Sequence, residues 1–131
     1  MLERLDDLML RAKRQGADGA DAVYVHGVSL STSQRMGQPE HLERAEGADI
    51  GLRILIGKRQ AIASTSNISD PALDELLDRA MAMAKVVPED EFCGLAPEDL
   101  LAGDTPELDE ADTTKPSAKT LNDLAVRAES A

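Results

Sequence analysis

The chain has 131 residues, a formal net charge of −11, 30% charged and 42% hydrophobic side chains, the composition of a folded domain and not of a disordered chain. Tyr24 and Phe92 are its only aromatics, and with this charge the chain is unsuited to stacking bases, to phosphate backbones and to anionic lipid surfaces. No apolar run approaches the roughly 20 residues of a membrane span, the start Met1-Leu-Glu-Arg-Leu-Asp-Asp7 lacks the apolar stretch of a signal peptide, and the single Cys93 cannot form an internal disulfide, so the expected compartment is the cytoplasm.

In chain order, Leu2, Leu5, Leu8, Met9 and Ala12 recur at three- and four-residue spacing and predict an amphipathic helix over 2–15. Arg11, Lys13 and Arg14 suit its C-terminal dipole, and Gly16 stops it. From Asp21 the period becomes two, and Val28, Leu30, Thr32, Gln34 and Met36 alternate with Ser29, Ser31, Ser33 and Arg35 in a strand with one polar face. Gly37-Gln-Pro39 reads as a turn, Glu40 to Glu46 as a short charged strand and Gly47-Ala-Asp49 as a second turn. Ile50, Leu52, Ile54 and Ile56 then define the strongest strand, Gly57-Lys-Arg59 turns again, and Gln60 to Ser66 is a strand of small residues. Links this short imply an antiparallel meander. Ser69 or Asp70 can cap a helix with Pro71 in its first turn, and Leu73, Leu76, Leu77, Ala80, Met81, Ala84 and Val87 form its apolar stripe until Pro88 ends it.

The negative charge is concentrated in the segment that begins at Pro88. Residues 1–87 carry 13 acidic and 11 basic side chains, whereas 88–118 carry ten acidic and one basic. That segment also holds Pro88, Pro97, Pro106 and Pro116. It reads as a solvated connecting arm with one helical turn at Pro97-Glu-Asp-Leu-Leu101. Phe92, Leu95, Leu100, Leu101 and Leu108 predict that parts of it dock on the domain. Pro116-Ser117 opens a third helix with Leu121, Leu124, Ala125 and Ala128, which reaches the last residue without a stop signal and so reads as part of a longer protein.

The chemical inventory is sparse. Zinc needs three or four converging Cys, His or carboxylate ligands, and the non-carboxylate donors are His26, His41 and Cys93. His26 and His41 fall on successive strands and are more simply exposed strand histidines than ligands. Glu40-His41-Leu-Glu43 lacks the second His of a helical zinc motif. Gly57-Lys58 is not a phosphate loop, because the required Gly is Leu52 and the required Ser or Thr is Arg59. Ser64-Thr-Ser66 offers hydroxyls without a base to activate them. Asn67-Ile-Ser69 matches a glycosylation sequon by chance in a chain without secretion signals. Cys93 sits among carboxylates, which disfavour a reactive thiolate. No catalytic, cofactor-binding or metal-ligating residue is assigned.

The order of several short motifs carries a resemblance. Gly16-Ala-Asp18, Ala22-Val-Tyr-Val25, Ser29-Leu-Ser31, Arg35-Met-Gly37 and Glu43-Arg-Ala-Glu46 are followed by Gly51-Leu-Arg-Ile-Leu-Ile-Gly57, Gln60-Ala-Ile-Ala-Ser-Thr-Ser66 and Ser69-Asp-Pro71. Ala82-Met-Ala84, Pro88-Glu-Asp90, Gly94-Leu95, Pro106-Glu-Leu-Asp109 and Pro116-Ser117 continue the series. In this order they resemble the N-terminal domain of the TldD/PmbA family, once called modulator of DNA gyrase, in its PmbA/TldE branch. The resemblance implies a cytoplasmic peptidase whose zinc is held by a His-Glu-x-x-x-His motif in the C-terminal domain of a TldD subunit. That motif is absent here. It implies a TldD-type subunit or a second copy as partner, a peptide or unfolded protein as substrate, and no nucleic acid or membrane. The expected fold is α+β: a mainly antiparallel four-stranded sheet flanked by two helices within 1–87, an acidic extended arm over 88–118, and the start of a third helix over 119–131. The expected function is that of a non-catalytic domain of a TldD/TldE-type zinc metallopeptidase, with no cofactor in this part and zinc on the partner. The alternative is an independent interaction module acting on a DNA-handling enzyme such as gyrase.

Overall fold

A computed structural model describes residues 1–104 and 106–131. Helix α1 (Leu2–Arg14) is followed by strands β1 (Gly19–Arg35), β2 (Gln38–Ile56) and β3 (Arg59–Thr65), helix α2 (Asp70–Val86), a 3-10 turn at Glu98–Leu100 and helix α3 (Ala118–Glu129). The strands lie in the order β1-β2-β3. The fold is therefore α+β with an antiparallel meander, in three strands where four were expected. The difference lies at Gly47-Ala-Asp49. These residues have turn composition, but Gly47 does not adopt the positive φ that would make a turn of it. β1 runs for 17 residues beside them, and β2 stays extended for 19. The turn before β2 also falls earlier than expected, at Met36 (φ 52°) and Gly37 (φ 74°), the two left-handed positions of a tight hairpin. Pro39 stands inside β2, near its start, where a missing N–H is tolerated.

By its contacts the chain forms two units, Met1–His26 with Gly47–Leu101, and Gly27–Glu46 with Ala102–Ala131. In the first, β2 and β3 pair from Ile50↔Thr65 to Ile56↔Arg59 around the turn Gly57-Lys58. Ile50, Leu52 and Ile54 are fully buried on one sheet face together with Ala61 and Ala63 of β3. Leu5, Leu8 and Ala12 of α1 and Leu73, Leu76, Leu77, Ala80, Met81 and Ala84 of α2 complete the same core. The stripe expected to cover the isoleucines does so, and Ile56 is half-buried at its end. β3 presents alanines inward because α2 lies directly over it.

Local devices set the angles of entry. Gly16 (φ 99°) ends α1: Ala17 N–H donates to Ala12 O at 3.1 Å and Gly16 N–H to Lys13 O at 3.0 Å. This pair of bonds satisfies the last carbonyls while the chain reverses. Ser69 is the N-cap of α2 without a side-chain cap bond, and Pro71 occupies its first turn. The two helices are tied by Arg4 to Asp70 and by Arg11 to Asp74.

In the second unit Ser117 caps α3, its hydroxyl accepting from Thr120 N at 3.1 Å. Asn122 Oδ1 accepts from Gln34 Nε2 at 2.6 Å, and Glu129 Oε2 accepts from the turn amide of Gly37 at 3.0 Å. Among the described residues of this unit none is fully buried. No helix among the described residues is long and apolar enough to cross a membrane.

Candidate functional site

The donors singled out in the sequence have different surroundings. His26 is exposed on β1 in the first unit. His41 is exposed on β2 in the second, with its Nε2 3.3 Å from Glu43 Oε2. Cys93 is buried at 4% exposure. Among the described residues, no group of three or more His, Cys, Asp or Glu side chains is arranged to hold a metal ion. Gly57-Lys58 is a hairpin turn (Gly57 φ 58°), and its amide at Gly57 donates to Asp18 Oδ2 at 2.6 Å. Of the hydroxyl run, Ser66 donates to Asp49 Oδ1 at 2.6 Å and Thr65 Oγ1 accepts from Asn67 N at 3.2 Å. Asn67 itself is occupied as an acceptor for Ser69 N at 3.0 Å. These bonds shape the β3–α2 link, and no histidine stands beside these hydroxyls to activate them among the bonds described.

Sequence reasoning missed what Cys93 and Lys58 do. The start of the acidic segment folds back on the sheet face opposite the helices. Asp90 N–H donates to Lys58 O at 2.8 Å, Lys58 Nζ donates to Cys93 O at 3.3 Å, and Arg59 meets Glu89 at 3.1 Å. Leu95 reaches the backbone of Gly19, where an added Cβ would lie 3.3 Å from Leu95 Cδ1 and 3.5 Å from Leu55 Cδ1. Leu55 is buried on this face although it points away from the helical core. These contacts between the hairpin turn and the arm were foreshadowed by the Lys58-Arg59 pair and the run of carboxylates. Leu95 itself keeps 59% of its surface exposed, and Phe92, Leu100, Leu101 and Leu108, also expected to dock, are exposed as well. The helical turn expected at Pro97–Leu101 forms over Glu98–Leu100. Thr105 of the arm lies outside the described residues.

What the first unit does offer is open backbone. In the β2–β3 hairpin the residues flanking the two-residue turn, Ile56 and Arg59, exchange ladder hydrogen bonds, and so does every second pair beyond them. Gln60, Ile62 and Ser64 therefore turn their N–H and C=O groups away from β2, toward the outer edge of the sheet. One of these groups has a partner: Arg79 Nη2 of α2 donates to Ser64 O at 2.7 Å. Outer-face side chains beside the edge are exposed, Ile62 at 65%.

Fold and site together define a small α+β domain that presents an open sheet edge and, among its described residues, no convergent set of metal ligands. Similarity to known proteins places it further. The family described as PmbA/TldA metallopeptidase domain 1 matches residues 20–84. The chain is 31% identical over 120 residues to the Metalloprotease PmbA homolog of Haemophilus influenzae, covering 92% of this chain and 26% of that protein. It is 28% identical over 131 residues to Metalloprotease PmbA of Escherichia coli O157:H7, covering 100% of this chain and 29% of that protein. The crystal structure of TldE from Thermococcus kodakarensis superposes with a TM-score of 0.65 at 19% identity over 71% of this chain and 21% of that one, which shows the same fold. The chain belongs to the PmbA/TldD family and carries its N-terminal domain. It spans about a quarter of the length of the curated relatives it matches.

Proposed function

We propose that this chain is the non-catalytic N-terminal part of a PmbA/TldE-like subunit in a cytoplasmic TldD/TldE-type zinc metallopeptidase that acts on peptides or unfolded proteins. The observation that carries this reading is the family match combined with the placement of the donors. Hydrolysis by zinc needs about three protein ligands, an open position for water and a general base. Among the described residues no three His, Cys, Asp or Glu side chains are grouped to hold a metal ion, and Cys93 is buried within the start of the arm. These residues do not fit a zinc centre, so no catalytic step is assigned to them. The zinc belongs to a TldD-type partner subunit, and this chain pairs with such a subunit or with a second copy of its own kind. Its role is to build the scaffold and handle the substrate chain.

The test is to titrate zinc into the purified chain by calorimetry and to incubate the chain with an unstructured peptide. The expected result is no tight zinc binding and no cleavage by the chain alone. Submicromolar zinc affinity, or cleavage that a chelator abolishes, overturns the reading. A chain that instead alters DNA supercoiling by purified gyrase points to the interaction module.

A further inference from the structure

The β3 edge differs from the rest of this acidic molecule. From Ile50 to Ser66 there is no Asp or Glu, while Arg53, Lys58 and Arg59 are present. The strand itself, Arg59–Thr65, has no proline and no acid, and its charge is confined to the first residue. Edge strands usually carry charges, prolines or bulges that repel an incoming strand, and β3 carries none of these beyond Arg59. Beside the edge runs one flank of α2. Arg79 marks that flank through its bond to Ser64 O, and Ala72, Glu75, Met83 and Val86 share it at helical spacing. The opposite flank holds Asp74 against Arg11 of α1. Val86 is 81% and Met83 38% exposed. An open strand edge thus runs beside a helix flank that carries apolar side chains at one end and a guanidinium bonded to the edge at the other.

We propose that this edge is a strand-addition site for an extended, unfolded polypeptide segment bearing apolar and acidic side chains. The segment pairs with the outward N–H and C=O groups of Gln60 and Ile62 and with the N–H of Ser64, whose carbonyl accepts from Arg79. Its apolar side chains pack on Met83 and Val86, and its carboxylates sit within reach of Arg79. Strand addition gives affinity through main-chain bonds and selectivity through alternate side chains. A second copy of this domain is the competing occupant, and packing rules count against it. Strands pair about 4.8 Å apart, whereas packed helices need about 8–10 Å between axes. Because α2 lies over β3 itself, the two copies of α2 would collide. A bare strand brings no helix.

The site deepens the substrate-handling reading above and rests on it for the kind of chain captured. Its test is binding, so failure here leaves the zinc and cleavage results standing. The probe is a blocked, fluorescently labelled octapeptide of alternating valine and glutamate, followed by anisotropy against the full 131-residue chain. Saturable binding is expected. N-methylation of one alternate set of peptide amides should abolish it, and N-methylation of the other set should leave it intact. Ile62→Pro removes an outward N–H that takes no part in the β2 ladder. It should weaken binding by about tenfold, as for one lost hydrogen bond, with an unchanged circular dichroism spectrum. Arg79→Gln should weaken binding and flatten its salt dependence. No binding at millimolar peptide, or equal tolerance of both N-methylated sets, overturns the proposal. So does a dimer in sedimentation that Ile62→Pro dissolves, since the occupant would then be a second copy.

Discussion

Ile54→Ala tests the core most directly. Ile54 is fully buried and faces Ala61 across the ladder. Truncation removes Cγ1, Cγ2 and Cδ1. At about 0.8 kcal/mol per buried carbon, the lost transfer free energy is about 2.4 kcal/mol. β2 is paired on both sides and α2 is packed above, so the wall cannot close over the gap. A residual cavity of about 60–80 Å³ at about 24 cal/mol per Å³ adds roughly 1.5–2 kcal/mol. The expected cost is about 4 kcal/mol, against a total stability of about 5–15 kcal/mol for a domain. With a urea dependence of about 2 kcal/mol per molar, the midpoint falls by about 2 M. Far-UV circular dichroism is the appropriate signal, since the chain has no Trp. Ile62→Ala is the control, because this isoleucine stands on β3 with 65% of its surface exposed on the opposite face. It should shift stability by less than about 0.5 kcal/mol. Equal costs for the two substitutions would refute the assignment of Ile54 to the helical face.

Gly37→Ala places a Cβ at φ 74° in the hairpin turn and should cost about 1 kcal/mol in the same urea experiment. Cys93, buried within the folded-back start of the arm, should react with a thiol reagent far more slowly in the native chain than in urea, and equal rates would show that this part of the arm is open. The hydroxyl of Thr114, then its backbone N–H, holds the Asp112 carboxyl below its ordinary pKa. Its contribution is present above the ordinary value and fades as pH falls through the lowered one. The Asp123 carboxylate holds the Lys119 ammonium above its ordinary pKa, so that contribution is present below the ordinary value and fades as pH rises through the raised one. Side-chain NMR titration reads both directions.

Periodicity made most of the first unit legible. The inward set Ile50, Leu52, Ile54 and the α2 stripe from Leu73 to Ala84 were visible because each follows the period of its own element, and both are buried. Gly16 as the end of α1 was equally plain, since only a left-handed position reverses a helix there. Two His and one Cys are too few soft donors for a zinc centre built without carboxylates, and that much is a matter of composition alone. Three features were decided only in the tertiary structure. Gly47-Ala-Asp49 has the residues of a turn, and it stays extended as part of β2, the central strand with a neighbour on each side. Cys93 became buried while Phe92 stayed exposed, because Lys58 and Arg59 bind the backbone and carboxylate around Cys93 and pull that stretch onto the sheet. The exposure of the β3 edge depends on where α2 packs and on the absence of a fourth strand beyond β3 among the described residues. Local sequence determines which face of an element is apolar, because that is a matter of spacing along one chain. Which edge is left open depends on how many elements assemble, and that is a property of the whole sheet.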